Sequence, residues 1–151
     1  TLFFALCELS GGAILQILKH IISTDRPVSA FENYNDMILP VVQGVELHHS
    51  NSFPSGHAST FFVFFTCFAI FLAYRYSLKG KQQDLRKRIL IILSVLLLFV
   101  LAALGGYSRI YLSQHFLSDV CMGSIIGFIT PCLIFYFGKN KILRLKMNEI
   151  Q

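Results

Sequence analysis

Four long apolar segments constrain this chain more than any other feature of its sequence. They cover roughly residues 2–18, 58–74, 89–106 and 120–137, and the third is interrupted only by Ser94. A bilayer core takes about 20 helical residues, so each segment suits a membrane-spanning helix. Only 14% of the 151 residues are charged, against about a quarter in an average soluble domain. We therefore predict an all-α, polytopic membrane bundle, and we reject four buried core helices of a soluble protein.

No repeat or linker divides the chain, so we predict one membrane-embedded domain over residues 1–151. Because Thr1 already lies in an apolar run, we expect the chain to be N-terminally incomplete, and it does not read as a signal peptide. The four cysteines lie inside the apolar segments without ligand-like spacing: Cys7, Cys67, Cys121 and Cys132. This pattern predicts small hydrophobic side chains, not disulfides or a metal site.

Basic residues are concentrated at two places beside the predicted spans. One cluster lies within residues 75–88, and the other within residues 139–146. Nucleic acid is one possible partner for such clusters, but the positive-inside rule explains both by placing them in the cytoplasm. Residues 19–57 and 105–119 then lie on the opposite face, together with most of the chemically versatile side chains.

The first outer segment carries Lys19 and, seven residues later, Arg26 followed by Pro27. Since proline disfavours helix at the residue before it, we expect the first span to unwind near Arg26. The two cations could simply reach lipid phosphates from the end of a span. They could equally hold an anionic ligand.

The sequence Pro54-Ser55-Gly56-His57 stands directly before the second span. Ser55 is a plausible helix cap, and Gly56 permits close backbone approach. The free N–H groups at a helix start form an anion site, towards which His57 would project. A capped helix with a solvated histidine is the competing interpretation, and we extend it to His20, His48 and His49.

The second outer segment carries Arg109, His115 and Asp119. His115 and Asp119 are four residues apart, so on a helix they would share a face and could touch. A carboxylate on one ring nitrogen leaves the other free as a base, nucleophile or ligand. Arg109 offers a planar fork suited to phosphate oxygens. A purely structural histidine–aspartate hydrogen bond is the alternative.

Together these segments describe a site for a phosphate dianion with an oxygen leaving group. One histidine could attack phosphorus while the other protonates the departing oxygen. Metal-assisted hydrolysis would want carboxylates or histidines at ligand spacing. The candidates Glu32, Asp36 and Glu46 are scattered in a loop, so we predict no metal and no cofactor.

The pattern Lys19-x6-Arg26-Pro27, Pro54-Ser55-Gly56-His57 and Ser108-Arg109-x5-His115-x3-Asp119 resembles the three-part signature of the type-2 phosphatidic acid phosphatase superfamily. The resemblance covers about two thirds of the chain, from Lys19 to Asp119. It implies a helical membrane phosphatase that needs no metal. Members usually have six spans, so we expect two N-terminal spans to be missing from these 151 residues. Soluble vanadium haloperoxidases carry the same signature, but four spans argue against that branch.

The resemblance also implies roles for individual residues. His115 would be the nucleophile, oriented by Asp119, and His57 would be the general acid. The phosphoryl oxygens would be held by Lys19, Arg26, Ser55, Gly56 and Arg109.

We expect a phosphate or pyrophosphate ester of a lipid as substrate, and the surrounding membrane lipids as partners. Candidates are polyprenyl pyrophosphate, phosphatidylglycerol phosphate, phosphatidic acid and a lipid A phosphate, with residues 28–53 helping to select among them. The many Phe, Ile and Lys residues favour a bacterial inner membrane, with the active site on the extracytoplasmic face. A non-catalytic transport or scaffold protein that retained a phosphate pocket is the alternative function.

Overall fold

The computed structural model describes residues 2–32, 48–77 and 84–148, with side chains described as far as Lys139. Within these residues the chain forms helices and no β-strand. The helices are α1 (Leu2–Ile21), α2 (Pro27–Ala30), α3 (Gly56–Ser77), α4 (Leu85–Tyr111) and α5 (Leu117–Asn148). Four stretches are long and apolar enough to cross a membrane: Leu2–Ile21, Gly56–Ser77, Leu85–Tyr111 and Leu117–Lys139. The predicted all-α fold with four spans is therefore confirmed.

Each long helix extends beyond its predicted apolar run, because polar residues continue the helix at its ends. At the start of α4, for example, the Asp84 carboxylate caps the helix by accepting a hydrogen bond from the Arg86 N–H at 3.2 Å. At the end of the same helix, Arg109 lies in the last turn. The apolar runs locate the spans, but not their termini.

The first span ends between its predicted apolar run, which stops near residue 18, and Arg26, near which we expected the chain to unwind. Helix α1 stops at Ile21, and Pro27 instead begins the short helix α2. The residues between them bind a second extended segment: the Arg26 N–H donates to the His49 carbonyl, and the Ser52 N–H donates to the Thr24 carbonyl, both at 3.0 Å. These bonds supply the backbone partners that a longer helix would otherwise need, so the proline is not what ends α1.

Helix α3 lies at the centre of the bundle and packs against α1, α4 and α5. Two glycines one turn apart allow α5 to approach it closely. A Cβ added at Gly123 would overlap the Ser55 carbonyl oxygen, and one added at Gly127 would overlap the Ser59 carbonyl oxygen. This is the small-residue packing by which membrane helices bring their backbones together.

The interior of the bundle is small, and most large apolar side chains face outwards. Cys7, Val63 and Cys67 form the buried cluster, and all four cysteines are free thiols. Leu97 on α4 is 58% exposed, as is typical of the other leucines on that helix. In water such a surface would drive aggregation. In a bilayer it is the surface that lipid tails cover.

Candidate active site

The ends of the four spans meet on one side of the bundle. The end of α1 approaches the segment before α3, where Lys19 Nζ donates to the Asn51 carbonyl at 3.3 Å. The start of α3 is tied to the start of α5, because the Ser55 N–H donates to the Asp119 carbonyl at 2.9 Å. The turn after α4 joins the same region through Gln114, whose Oε1 lies 3.0 Å from Arg26 Nη1. Three distant parts of the sequence are thus joined by specific hydrogen bonds.

A cavity of about 350 Å³ opens between these helix ends. It is lined by Lys19, Arg26, His48, Gly56, His57, Thr60, Phe61 and His115. Five of the eight residues predicted to form the site are in this lining. Ser55 and Asp119 lie buried behind it, and Arg109, half-buried in the last turn of α4, is not in the lining.

The start of α3 forms one wall of the cavity, and its local structure matches the sequence prediction. Ser55 caps the helix, since its Oγ accepts a hydrogen bond from the Ala58 N–H at 3.4 Å. A Cβ built on Gly56 would meet nothing within 4 Å. A ligand can therefore approach the backbone N–H groups of the first turn, where the helix dipole favours negative charge. His57, which is exposed, stands beside this helix start.

Arg26 is held in place by three hydrogen bonds to two different segments. Its Nε donates to the Ser50 carbonyl at 3.0 Å, while Nη1 donates to Oε1 and the carbonyl of Gln114 at 3.0 and 3.3 Å. Lys19 supplies a second cation to the same cavity. A guanidinium fixed in this way is pre-organised to bind phosphate oxygens.

Arg109 is oriented differently from the other two cations. Its Nε lies 3.4 Å from the hydroxyl of the neighbouring Ser108. The structure brings Arg109 to the same end of the bundle, but not into the surface of the cavity. Its predicted contact with a phosphoryl group remains a prediction.

His115 and Asp119 come together, but not in the way their spacing suggested. We predicted a shared helical face, whereas His115 lies in the turn before α5, and only Asp119 is in the helix. Ser113 in this turn has a φ of 54°, a left-handed conformation that few non-glycine residues adopt. The His115 Nδ1 and Asp119 Oδ2 atoms are 3.6 Å apart, which is too long for a direct hydrogen bond.

The Asp119 carboxylate has several hydrogen-bond donors of its own. Oδ2 accepts from the Ser52 hydroxyl at 2.5 Å and from the Phe116 N–H at 2.9 Å, and Oδ1 lies 3.3 Å from the Ser118 hydroxyl. The bond to Phe116 is half of a capping box, because Asp119 reaches back three residues to the residue before the helix. Asp119 thus fixes the start of α5 as well as facing the histidine.

The His115 ring is buried, being 2% exposed, and is uncharged near neutral pH. Burial lowers the pKa of His115 to about 4, and the nearby Arg26 guanidinium lowers it as well, although the Asp119 carboxylate acts in the opposite direction. A neutral imidazole keeps one nitrogen lone pair. It can therefore serve as a nucleophile.

Sequence reasoning missed several side chains at the site. Ser52 is fully buried against the Asp119 carboxylate, and Gln114 holds Arg26. His48 is exposed, as our interpretation of it as a solvated histidine implies, but it also lines the cavity, which we did not foresee. His49, interpreted in the same way, has its Nδ1 2.9 Å from the Ser29 hydroxyl. Among these residues, only Ser52 could have been suspected from the sequence, because it stands two residues before the Pro54-Ser55-Gly56-His57 motif.

One further polar group was also missed. Glu8 lies within the first span, and its Oε2 is 3.4 Å from the hydroxyl of Thr60, which lines the cavity. Ionisable side chains inside a span face the bundle interior or a polar cavity, because exposure to lipid is costly. Glu8 therefore places a carboxyl group beside Thr60 in the cavity lining.

The family model of the PAP2 superfamily matches residues 1–143. The chain belongs to the PAP2 superfamily. The resemblance that the three sequence motifs indicated is thus confirmed. The chain is also similar to the crystal structure of Aquifex aeolicus LpxE, with 25% sequence identity and a TM-score of 0.55. The match covers 87% of this chain but 64% of the LpxE chain, so this chain spans less than two thirds of that protein. No curated protein matches the sequence significantly.

The donor set of this PAP2 site suits an anion better than a metal ion. Among residues 2–32, 48–77 and 84–139, no group of three His, Cys, Asp or Glu side chains is arranged to hold a metal. Two of the carboxylates considered earlier, Asp36 and Glu46, lie outside the described residues. What the cavity does offer is two cations, a helix start and three histidines.

Proposed function

We propose that this protein is an integral-membrane phosphatase that hydrolyses a phosphate or pyrophosphate ester of a lipid. The reaction proceeds through a phosphohistidine and uses no metal. The observation that carries this proposal is the cavity at the ends of the spans, which His57 and His115 line together with Lys19 and Arg26. Membership of the PAP2 superfamily supports the same reaction class.

In the first step, the substrate phosphoryl group sits in the cavity with its oxygens facing Lys19, Arg26 and the start of α3. The free ring nitrogen of His115 attacks phosphorus with its lone pair. The bond from phosphorus to the lipid oxygen breaks, and His57 donates a proton to that oxygen. Asp119 stabilises the positive charge that develops on the His115 ring, as the acid does in a serine protease triad.

In the second step, water attacks the phosphohistidine. His57, now without its proton, accepts one from the water, and the phosphorus–nitrogen bond breaks. Phosphate leaves, His115 is neutral again and His57 is protonated again. The low pKa of His115 fits this cycle, because the free enzyme must present a neutral nucleophile.

The position of the cavity supports this substrate class. It lies at the ends of the spans, where a lipid presents its phosphate while its tails remain in the hydrocarbon. Polyprenyl pyrophosphate, phosphatidylglycerol phosphate, phosphatidic acid and a lipid A phosphate all satisfy this condition. By the positive-inside rule, the cavity faces the extracytoplasmic side of a bacterial inner membrane. Residues 33–47 of the segment expected to select the lipid lie outside the described residues.

The test separates the two histidines by their roles. An alkyl phosphate has a poor leaving group, so general-acid help contributes about 10²–10⁴-fold to its hydrolysis. A nitrophenolate leaves without a proton. His57→Ala should therefore cripple hydrolysis of an alkyl phosphate while sparing much of the activity on nitrophenyl phosphate, whereas His115→Ala should abolish both.

The measurement is kcat/KM of each variant, relative to the parent, on both substrates in the same detergent. Equal losses in His57→Ala on the two substrates would mean that His57 binds the phosphoryl group and is not the acid. Phosphate release by His115→Ala at near the parent rate would refute a phosphohistidine at His115. If the parent binds lipid phosphates but releases no phosphate, the chain is a transport or scaffold protein.

A further inference from the structure

A serine hydroxyl stands between the two residues expected to form the catalytic pair. Ser52 Oγ is 2.5 Å from Asp119 Oδ2 and 3.5 Å from His115 Nδ1. The direct distance from the histidine to the carboxylate, 3.6 Å, is longer than either. The Ser52 hydroxyl therefore contacts both groups, whereas no direct hydrogen bond joins His115 to Asp119.

The geometry fixes which way the Ser52 proton points. A hydroxyl has one proton, and a carboxylate can only accept, so the 2.5 Å contact is donated by Ser52 to Asp119. Because its proton points at Asp119, Ser52 Oγ can only accept a hydrogen bond from His115 Nδ1. A ring nitrogen facing the lone pairs of this oxygen is best satisfied when it carries a proton, which places the proton of neutral His115 on Nδ1.

The backbone on either side of the hydroxyl is held in place. The Ser52 N–H donates to the Thr24 carbonyl, and the next N–H, that of Phe53, donates to the Thr24 hydroxyl, each at 3.0 Å. Ser52 itself is 0% exposed. The segment that carries Arg26 thus also sets the position of the Ser52 side chain.

We propose that Ser52 is a positioning residue that relays the hydrogen bond from His115 Nδ1 to Asp119. The relay selects the Nδ1–H tautomer, so that the Nε2 lone pair is available in the cavity. The 3.5 Å contact is long, but such contacts commonly tighten when substrate binds and charge develops on the histidine. Ser52 is not a second nucleophile, because it is fully buried and does not line the cavity. The effect on turnover rests on the function proposed above, but the tautomer does not.

The first experiment reads the tautomer without any activity. In the full chain labelled with ¹⁵N-histidine and purified in detergent, the ring shifts distinguish Nδ1–H from Nε2–H, and His115→Gln identifies the His115 signals. The parent should show the Nδ1–H form, and Ser52→Ala should shift the population towards Nε2–H. An Nε2–H tautomer in the parent overturns the proposal, and so does an unchanged Nδ1–H form in a folded Ser52→Ala. If Ser52→Ala does not fold, the tautomer of His115 in the parent still tests the proposal.

The second experiment measures the consequence for catalysis. Ser52→Ala should lower kcat about 10- to 100-fold, the loss expected for a hydrogen bond to a charged group, with KM little changed. Ser52→Thr keeps the hydroxyl and should restore most of the rate. Ser59→Ala is the matched control, since Ser59 is equally buried on α3 but outside the cavity.

A double-mutant comparison completes the test. If Ser52 acts through Asp119, the losses from Ser52→Ala and Asp119→Asn should not add, because either change breaks the same relay. Additive losses, or parent-like turnover in Ser52→Ala, would overturn the proposal. A parent that releases no phosphate would instead refute the proposed function and leave the tautomer result standing.

Discussion

Replacing Gly123 by alanine should slow catalysis although Gly123 does not line the cavity. A Cβ at this position would overlap the Ser55 carbonyl oxygen, and it would lie 3.2 Å from the Ser55 carbonyl carbon and 3.4 Å from Ala58 Cβ. The obstacle is backbone, which cannot rotate away as a side chain can. Non-bonded carbon atoms prefer separations of about 3.5–4.0 Å, and the overlap with the carbonyl oxygen is the more severe. The first residues of α3 must therefore move away from α5 by about 1 Å.

That separation acts directly on the catalytic geometry. Ser55 directly precedes Gly56 and His57, the proposed acid. Asp119, which faces the proposed nucleophile His115, lies one turn before Gly123 on α5. Moving α5 away from Ser55 therefore moves His57 away from His115. A misplacement of about 1 Å can cost about 10²-fold in rate. We therefore expect Gly123→Ala to lower kcat on an alkyl phosphate, whose leaving group needs the acid, by about two orders of magnitude, with the helical circular dichroism retained.

Two other glycines provide controls for this experiment. Nothing lies within 4 Å of a Cβ built on Gly12 in α1, so Gly12→Ala should keep the parent kcat and should not lower the melting temperature. The Cβ added by Gly127→Ala would overlap the Ser59 carbonyl oxygen, one helical turn further along α3 and α5 than the contact at Gly123. It should destabilise the bundle by about 1–3 kcal/mol while lowering kcat less than Gly123→Ala does. If Gly123→Ala and Gly12→Ala release phosphate equally fast, the close approach of α5 to Ser55 does not set the site geometry.

Three further predictions concern pH, metals and topology. Since the pKa of His115 lies near 4 in the folded protein, below its usual value of about 6.5, its ring should stay neutral at about pH 5.5. The stability linked to this neutral ring should decline as the pH falls from about 6.5 towards 4. An NMR titration midpoint at or above 6.5 would contradict this. Phosphatase activity should survive excess chelator but not vanadate, a phosphate mimic; complete loss that magnesium reverses would mean a metal mechanism. The topology can be tested in intact cells that express a variant without the native cysteines. An impermeant thiol reagent should label Ser29→Cys and not Ser77→Cys, whereas the reverse pattern would place the site in the cytoplasm.

The spans and the family could be predicted from the sequence because both depend on local information. A run of apolar residues long enough to cross a bilayer determines a helix almost regardless of its neighbours. The Ser55 cap was predicted for the same reason, since it acts on an N–H three residues away. The end of α1 could not be predicted, because hydrogen bonds from the distant residues around His49 decide where it stops.

The proposed catalytic pair, His115 and Asp119, shows more clearly where sequence reasoning fails. The spacing of His115 and Asp119 correctly indicated that they are neighbours, but a turn brings them together, not a shared helix. Ser52 is 67 residues from Asp119 in sequence, so no local pattern could have placed its hydroxyl there. Gly123 and Gly127 were visible as two small residues one turn apart, but the sequence alone did not say which helix they face.

The position of the site at the ends of the spans follows from the energetics of the bilayer. Lys19, Arg26 and Asp119 would be costly to place at mid-membrane, where their charges lose water. The N–H groups of α3 are also unpaired only at the start of that helix. Both conditions confine an anion site to the depth at which lipid phosphates lie. If the substrate is a lipid phosphate, as proposed, its tails remain outside the cavity, and we expect their length to change KM, through partition into detergent or membrane, far more than kcat.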